Sequence, residues 1–155
     1  PHGGRRGGHA GTLARLKAHR AELFEPITQQ HGGRIVKLMG DGALVEFASA
    51  VDAVACAVKV QRGMAERSQG VAENERITLR IGVNLGDVII EGEDIYGEGV
   101  NIAARLQGLA APGGVSVSGK VHDEVRGKVE AAFEDQGEKN VKNIARPIRV
   151  YAAPR

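Results

Sequence analysis

Apolar residues recur at helical spacing near the start of the chain: Leu13, Leu16, Leu23, Phe24 and Ile27 form one stripe reaching about Gln30. Pro26 predicts a kink in that run, and Gly32-Gly33 a stop, with His31 ending the helix. The period then changes. RIVKLM and ALVEF are short apolar runs around Gly40-Asp41-Gly42, the pattern of a β-hairpin with a tight Asp-Gly turn. Ser49 opens a second helix, with Asp52 three residues on in a capping-box position. Val51, Val54, Ala55, Val58 and Met64 form its predicted buried stripe. A polar loop at 68–76 leads to ITLRIGVN, where Ile77, Leu79, Ile81 and Val83 alternate with Thr78 and Arg80 as in a half-buried strand.

A turn near Leu85-Gly86 precedes a strand in DVIIEG, and a glycine-spaced loop (Gly92, Gly97, Gly99) precedes a helix from about Val100 to Ala110, stopped by Pro112-Gly113-Gly114. VSVS reads as a strand, and Ser118 caps a helix running to about Val129. Further strands are expected near 131–135, 139–143 and 148–152. Helices and strands alternate with hairpins, which predicts an α+β fold with a largely antiparallel sheet flanked by helices. The opening PHGGRRGGHAG holds five glycines and no aliphatic side chain larger than Ala10. Such a segment cannot offset the entropy of ordering, so residues 1–11 are expected to be a loose tail before one domain at 12–153.

Composition narrows the function classes. The formal net charge is +2, and Arg5 and Arg6 account for it, leaving the body neutral. With no basic face, and three Phe and two Tyr scattered along the chain, nucleic-acid binding is not expected. The single cysteine, Cys56, forms no internal disulfide and reads as a small apolar helix residue, which fits a cytoplasmic location. No apolar run approaches the length of a bilayer, so no direct membrane insertion is expected.

Two patterns invite chemistry without supporting it. GVSVSGK at 114–120 has the phosphate-loop spacing as far as its lysine, but Val121 stands where a hydroxyl must hold magnesium, and a predicted strand lies inside the motif. The five histidines show no pairing at metal-ligand spacing.

Three stretches carry more: KLMGDGALVEF (37–47), DIYGEGVNIAAR (94–105) and NVKNIARPIRVY (140–151). Read alone, each leaves alternatives open. Asp41 is a turn former or an exposed carboxylate at a hairpin tip. Lys37 is a solvent-facing strand lysine or a ligand donor, and Asp94 is a loop residue or an acceptor. Asn101 and Arg105, four apart, share one helix face, either as a plain polar face or as a site. Lys142 is a solvated cation or an anion contact.

Taken in order, the three stretches resemble the catalytic domain of the class III adenylate/guanylate cyclases, over about residues 12–152. GGRIVKLMGDGALVEF resembles the family's Lys-x-x-Gly-Asp hairpin; RIGVNLGDVI with DIYGEGVNIAARL resembles its Asp-[IVY]-x-Gly-x-x-[VT]-Asn-x-[AS]-x-Arg signature. VKNIARPIRVY is similar to its closing strand pair. The resemblance implies a ferredoxin-like cyclase fold and an adenylate cyclase that converts ATP to 3′,5′-cyclic AMP and pyrophosphate in cyclic-nucleotide signalling. It implies that Asp41 holds Mg2+ (or Mn2+) against the phosphates, since hard oxygen ligands suit that ion. Lys37 and Asp94 would read the adenine edge: an ammonium donates to N1, and a carboxylate accepts from the 6-amino group. Family members that use GTP usually carry Glu and a small Cys or Ser at these places. Asn101 would orient the ribose, Arg105 would stabilise the α-phosphorus transition state, and Lys142, with Lys139 the lesser candidate, would neutralise pyrophosphate.

The resemblance further implies a head-to-tail homodimer with shared active sites and a fused or partner regulatory domain. The family domain opens with a central strand bearing a metal-binding aspartate. Here PHGGRRGGHAG stands in its place with no acidic residue, so the first strand is expected to be missing, sheet edges to be unpaired and activity impaired. The alternative is a catalytically incomplete, cyclase-like module that binds nucleotide or serves as a dimerisation and regulatory unit.

Overall fold

The computed structural model of the protein describes residues 11, 13–39, 42–86, 88–92 and 94–153. The expected tail lies outside them except for Gly11, which is already helical. Residues 13–19 form helix α1, which passes through a π-helical turn at Arg20–Phe24 into α2, Glu25–Gln30. Phe24 and Glu25 keep right-handed helical backbone, so the expected interruption at Pro26 takes the form of a widened turn before it. A proline ring crowds the carbonyl four residues back and offers it no N–H; the π-turn accommodates both. His31 ends α2 as expected, its Nδ1 2.8 Å from the Ile27 carbonyl oxygen.

Strands β1 (Arg34–Met39) and β2 (Gly42–Glu46) make the predicted antiparallel hairpin, with Arg34 opposite Glu46 and a register irregularity between Ile35 and Lys37. Helix α3 (Ala50–Arg67) is capped by Ser49, whose hydroxyl accepts from the Asp52 backbone N–H at 3.1 Å. It is buried on two sides rather than along one stripe. Ala50, Val54 and Ala57 join Val83, Val115, Val117, Val121 and Val125 in one core, while Cys56, Val60 and Met64 join Ile27 in a second. Val54 and Met64 are buried as expected. Val51, Ala55 and Val58 are only half-buried, with Val51 and Val58 packed at the margin of the first core. Burial pushes the Cys56 thiol pKa up, in keeping with a packing role.

The main sheet has the order β3 (Ile81–Val83), β6 (Val115–Ser118), β8 (Ile148–Ala153), β7 (Glu134–Lys139); β3 and β6 run parallel and the other pairs antiparallel. A further hairpin pairs β4 (Ile89–Glu91) with β5 (Asp94–Tyr96). The fold is therefore the expected α+β class with mostly antiparallel pairing. Among the described residues no ladder joins the main sheet to either hairpin.

Three predicted boundaries are corrected. The strand expected from Ile77 shortens to Ile81–Val83. Ile77 and Leu79 keep their inward alternation, but the Leu79 carbonyl accepts from Gly113 N–H (2.7 Å) and from Gln61 Nε2 (3.0 Å) instead of a neighbouring strand. The helix after Ser118 is α5, Gly119–Val125, shorter than expected because Gly127 turns to φ 78°. The strands expected at 131–135 and 139–143 are one strand, β7, followed by a turn with Asn143 at φ 67°. Gly137, at φ 80°, lies within a register shift between Asp135 and Glu138 that keeps this polar strand paired with β8. The phosphate-loop look-alike is not a loop: Val115–Ser118 is a fully buried strand.

Helix α4 (Glu98–Leu109) packs against β3 at Gly82, where an added Cβ would stand 2.3 Å from Gln107 N and 2.5 Å from the Ala103 carbonyl oxygen. These are backbone atoms and cannot swing aside. Gly82→Ala is expected to destabilise the fold by about 3 kcal/mol, seen as a lower urea midpoint at unchanged slope. An unaltered midpoint would mean that strand and helix are less tightly apposed.

Candidate active site

The start of α4 is built by glycines. Gly97 precedes it at φ 134°, a conformation that favours glycine. Asn84, just beyond β3, donates from Nδ2 to the Gly99 carbonyl at 3.3 Å, and a Cβ on Gly86 would stand 2.7 Å from Gly99 Cα. The loop leaving β3 thus holds the first turn of α4. Sequence reasoning missed Asn84, since an asparagine after a strand reads as an ordinary turn residue.

From that anchored start, α4 divides its faces as the spacing predicts. Ile102 and Leu106 are buried with Val141 and Val150, and Leu109 packs against them. Asn101 and Arg105 are exposed, one turn apart, outside that core. Lys142, also exposed, follows Val141, so its turn and α4 share one core. Lys139 is half-buried and lines a cavity of about 400 Å3 with Leu109, Ser116, Glu134 and Val150. The structure therefore sets the two lysines in different surroundings.

Lys37 lies midway along β1, opposite Leu44, and is exposed. With Val36 it lines a cavity of about 340 Å3 whose other wall is Ile90, Gly92 and Ile95 of the β4–β5 hairpin. Asp94 is the first residue of β5, opposite Glu91, and exposed. The glycine-spaced segment expected to be a loop therefore contains a strand. Neighbouring strand residues point to opposite faces; Asp94 accordingly stands at the hairpin end on the face of Glu91 and Tyr96, opposite the face of Ile90 and Ile95 that lines the cavity. The Tyr96 hydroxyl donates to the Glu91 carboxylate. That hydrogen bond, and secondarily burial, raise the Tyr96 pKa. Asp41 lies outside the described residues. Among the described residues no three His, Cys, Asp or Glu side chains are grouped to hold a metal ion, and no helix is long and apolar enough to cross a membrane.

The family model "Adenylate and Guanylate cyclase catalytic domain" matches residues 10–152, and the chain belongs to that family. It is 47% identical over 136 residues to "Putative adenylate cyclase 3" of Rhizobium meliloti (strain 1021), an alignment covering 88% of this chain and 23% of that protein. It is 26% identical over 142 residues to the serine/threonine-protein kinase pkn2 of Myxococcus xanthus, covering 92% of this chain and 17% of that one. The chain thus spans less than a quarter of each of these relatives. Among solved structures, the adenylate/guanylate cyclase/hydrolase from Silicibacter pomeroyi superposes with a TM-score of 0.86 at 45% identity, covering 91% of this chain and 83% of the other. The adenylyl cyclase CyaB from P. aeruginosa shares the fold, with a TM-score of 0.71 at 23% identity over 90% of this chain and 80% of the other. Domains of this family are nucleotide cyclases, lyases that generally depend on divalent metal and typically dimerise.

Proposed function

We propose that the chain is the catalytic domain of an adenylate cyclase, in which the ribose 3′-hydroxyl of ATP attacks its own α-phosphorus and pyrophosphate leaves. The observation that carries this reading is the α4 face: an amide and a guanidinium, one turn apart, exposed on a helix whose opposite side is locked into the core. Asn101 orients the ribose. Arg105 meets the charge that develops on the α-phosphoryl oxygens, a task suited to a planar cation that stays protonated and is held in place before reaction. Lys142, tied through Val141 to the same core, neutralises the departing pyrophosphate.

The preference for ATP rests on Lys37 and Asp94. Lys37 offers only donors and Asp94 only acceptors, the complement of adenine's N1 and 6-amino group and the wrong pattern for guanine. Lys37 faces Ile90 and Ile95 across their cavity, and Asp94 stands at the end of the same hairpin. Asp41 is assigned to the metal on the resemblance. A bound Mg2+ or Mn2+ would supply neutralisation of the phosphates and activation of the hydroxyl.

Leu38 (46% exposed), Ile89 (46%) and Ile90 (51%) present apolar surface on β1 and β4. This surface supports a head-to-tail homodimer in which Asp41 serves one site while Lys37, Asp94, Asn101 and Arg105 serve the other. A regulatory domain, fused or separate, and a cytoplasmic location complete the reading.

The test is product formation by the full-length protein. ATP with Mg2+ or Mn2+ yields cyclic AMP and pyrophosphate in equal amounts, and Lys37→Glu with Asp94→Cys lowers the ATP/GTP ratio of kcat/KM by about tenfold or more. An unchanged ratio removes these two residues from base recognition. Nucleotide binding without product, under either metal, would favour the regulatory module.

A further inference from the structure

Glu91 and Asp94 are cross-strand partners in the β4–β5 hairpin, so their side chains leave one face with Cβ atoms about 5 Å apart. Like charges placed so repel, and either carboxylate could accept a hydrogen bond from an exocyclic amine. Their surroundings differ in one respect. Tyr96 lies two residues beyond Asp94 on the same face, and its hydroxyl donates to Glu91 across the diagonal of the hairpin. Asp94 has no such tie among the described residues. Gly92, with φ 63°, closes the turn between the two carboxylates, so the backbone holds them in opposition and leaves separation to the side chains.

We propose that Tyr96 is a positioning residue for base selection: its hydroxyl draws Glu91 aside, so that Asp94 alone is presented to the amino group of adenine. This rests on the reading of Asp94 as a base contact. Titration of the phenol offers a readout of the contact, because the same hydrogen bond raises the Tyr96 pKa. Around neutral pH the hydroxyl is protonated and the tie holds. Without it, Glu91 turns toward Asp94, where it repels that carboxylate and competes for the amine.

The experiment compares Tyr96→Phe, Glu91→Gln, the double variant and Asp94→Ala in the full-length protein. The readouts are kcat/KM and equilibrium binding for ATP and GTP, with ultraviolet titration of the tyrosines. Tyr96→Phe is expected to lower the ATP/GTP ratio by roughly three- to tenfold, with the loss on the ATP side. Glu91→Gln keeps an acceptor for Tyr96 and removes the competing charge, so its ratio stays near the parent while its Tyr96 titrates at lower pH. Adding Glu91→Gln to Tyr96→Phe restores the ratio, because the charge that Tyr96 controls is gone. If Tyr96 only stiffened the hairpin, ATP and GTP would suffer alike and Glu91→Gln would rescue nothing; that outcome overturns the proposal. Should Asp94→Ala leave the ratio intact, the reading of Asp94 fails and the proposal falls with it. Should Asp94→Ala abolish the preference while Tyr96→Phe leaves it untouched, the reading stands and the proposal alone is overturned.

Discussion

Replacing Arg105 by alanine is expected to lower kcat by about a hundredfold or more while KM for ATP changes little. The exposed position of Arg105 on α4 is what makes the test clean. Leu106 beside it is buried and Arg105 is not, so removing the guanidinium leaves the core intact and the melting temperature close to the parent. Asn101→Ala is expected to behave in the same way, since ribose orientation matters only as the hydroxyl lines up with phosphorus. Steady-state kinetics of cyclic AMP formation, with thermal melts alongside, decide it. A rise in KM at constant kcat would make both residues ground-state contacts and would remove the transition-state role assigned to Arg105.

The second large effect is a recovery. If each site draws its metal carboxylate from one chain and its Asn–Arg face from the other, Asp41→Ala and Arg105→Ala damage opposite halves. Each variant alone is expected to be nearly inactive. Mixed in equal amounts and allowed to exchange, half of the dimers are mixed and each holds one undamaged site, so activity returns to roughly a quarter of the parent. Two different affinity tags isolate the mixed dimer and give its activity directly. Mixed dimers without activity would place Asp41 and Arg105 in the same site or outside the site altogether.

Much of this was legible in the sequence where one local signal dominated. The Ser49 and Ser118 caps, the β1–β2 hairpin and the α4 face split all follow from spacing and side-chain chemistry within a few residues. The features that escaped depend on partners distant in sequence. Gln61 looks like a polar helix position, yet its amide bonds the Leu79 and Gly114 carbonyls and is buried among apolar neighbours. Strand β5 hid inside a glycine-spaced segment because three residues give too short an alternation to read. The polar run at 134–139 offered no apolar period, and its strand character comes from β8 beside it. For the site, the sequence motif supplied Lys37, Asp94, Asn101 and Arg105 together, but not which of them share a wall. Lys37 turns out to face Ile90 and Ile95 across a cavity, while Asp94 stands at the hairpin end. The tie between Tyr96 and Glu91 was invisible, because a diagonal contact appears only once the register is fixed.

The β4–β5 hairpin is held by three register pairs, and among the described residues no ladder extends it. Ile89, Ile90 and Tyr96 are substantially exposed, whereas Leu106 of α4 is sealed in the core. Short two-stranded ribbons of this kind are marginal in water and open locally at far lower free energy than the body of a domain. The two halves of the proposed site therefore belong to different tiers of local stability. Backbone amides of Ile89–Glu91 and Asp94–Tyr96 are therefore expected to exchange with solvent through smaller openings than those of α4. On the proposed reading, a nucleotide is expected to meet a phosphate end that is already rigid and a base end that is ordered as it binds, so that the free energy of closing the hairpin is subtracted from affinity for every base and recovered most fully by the one whose edge it fits.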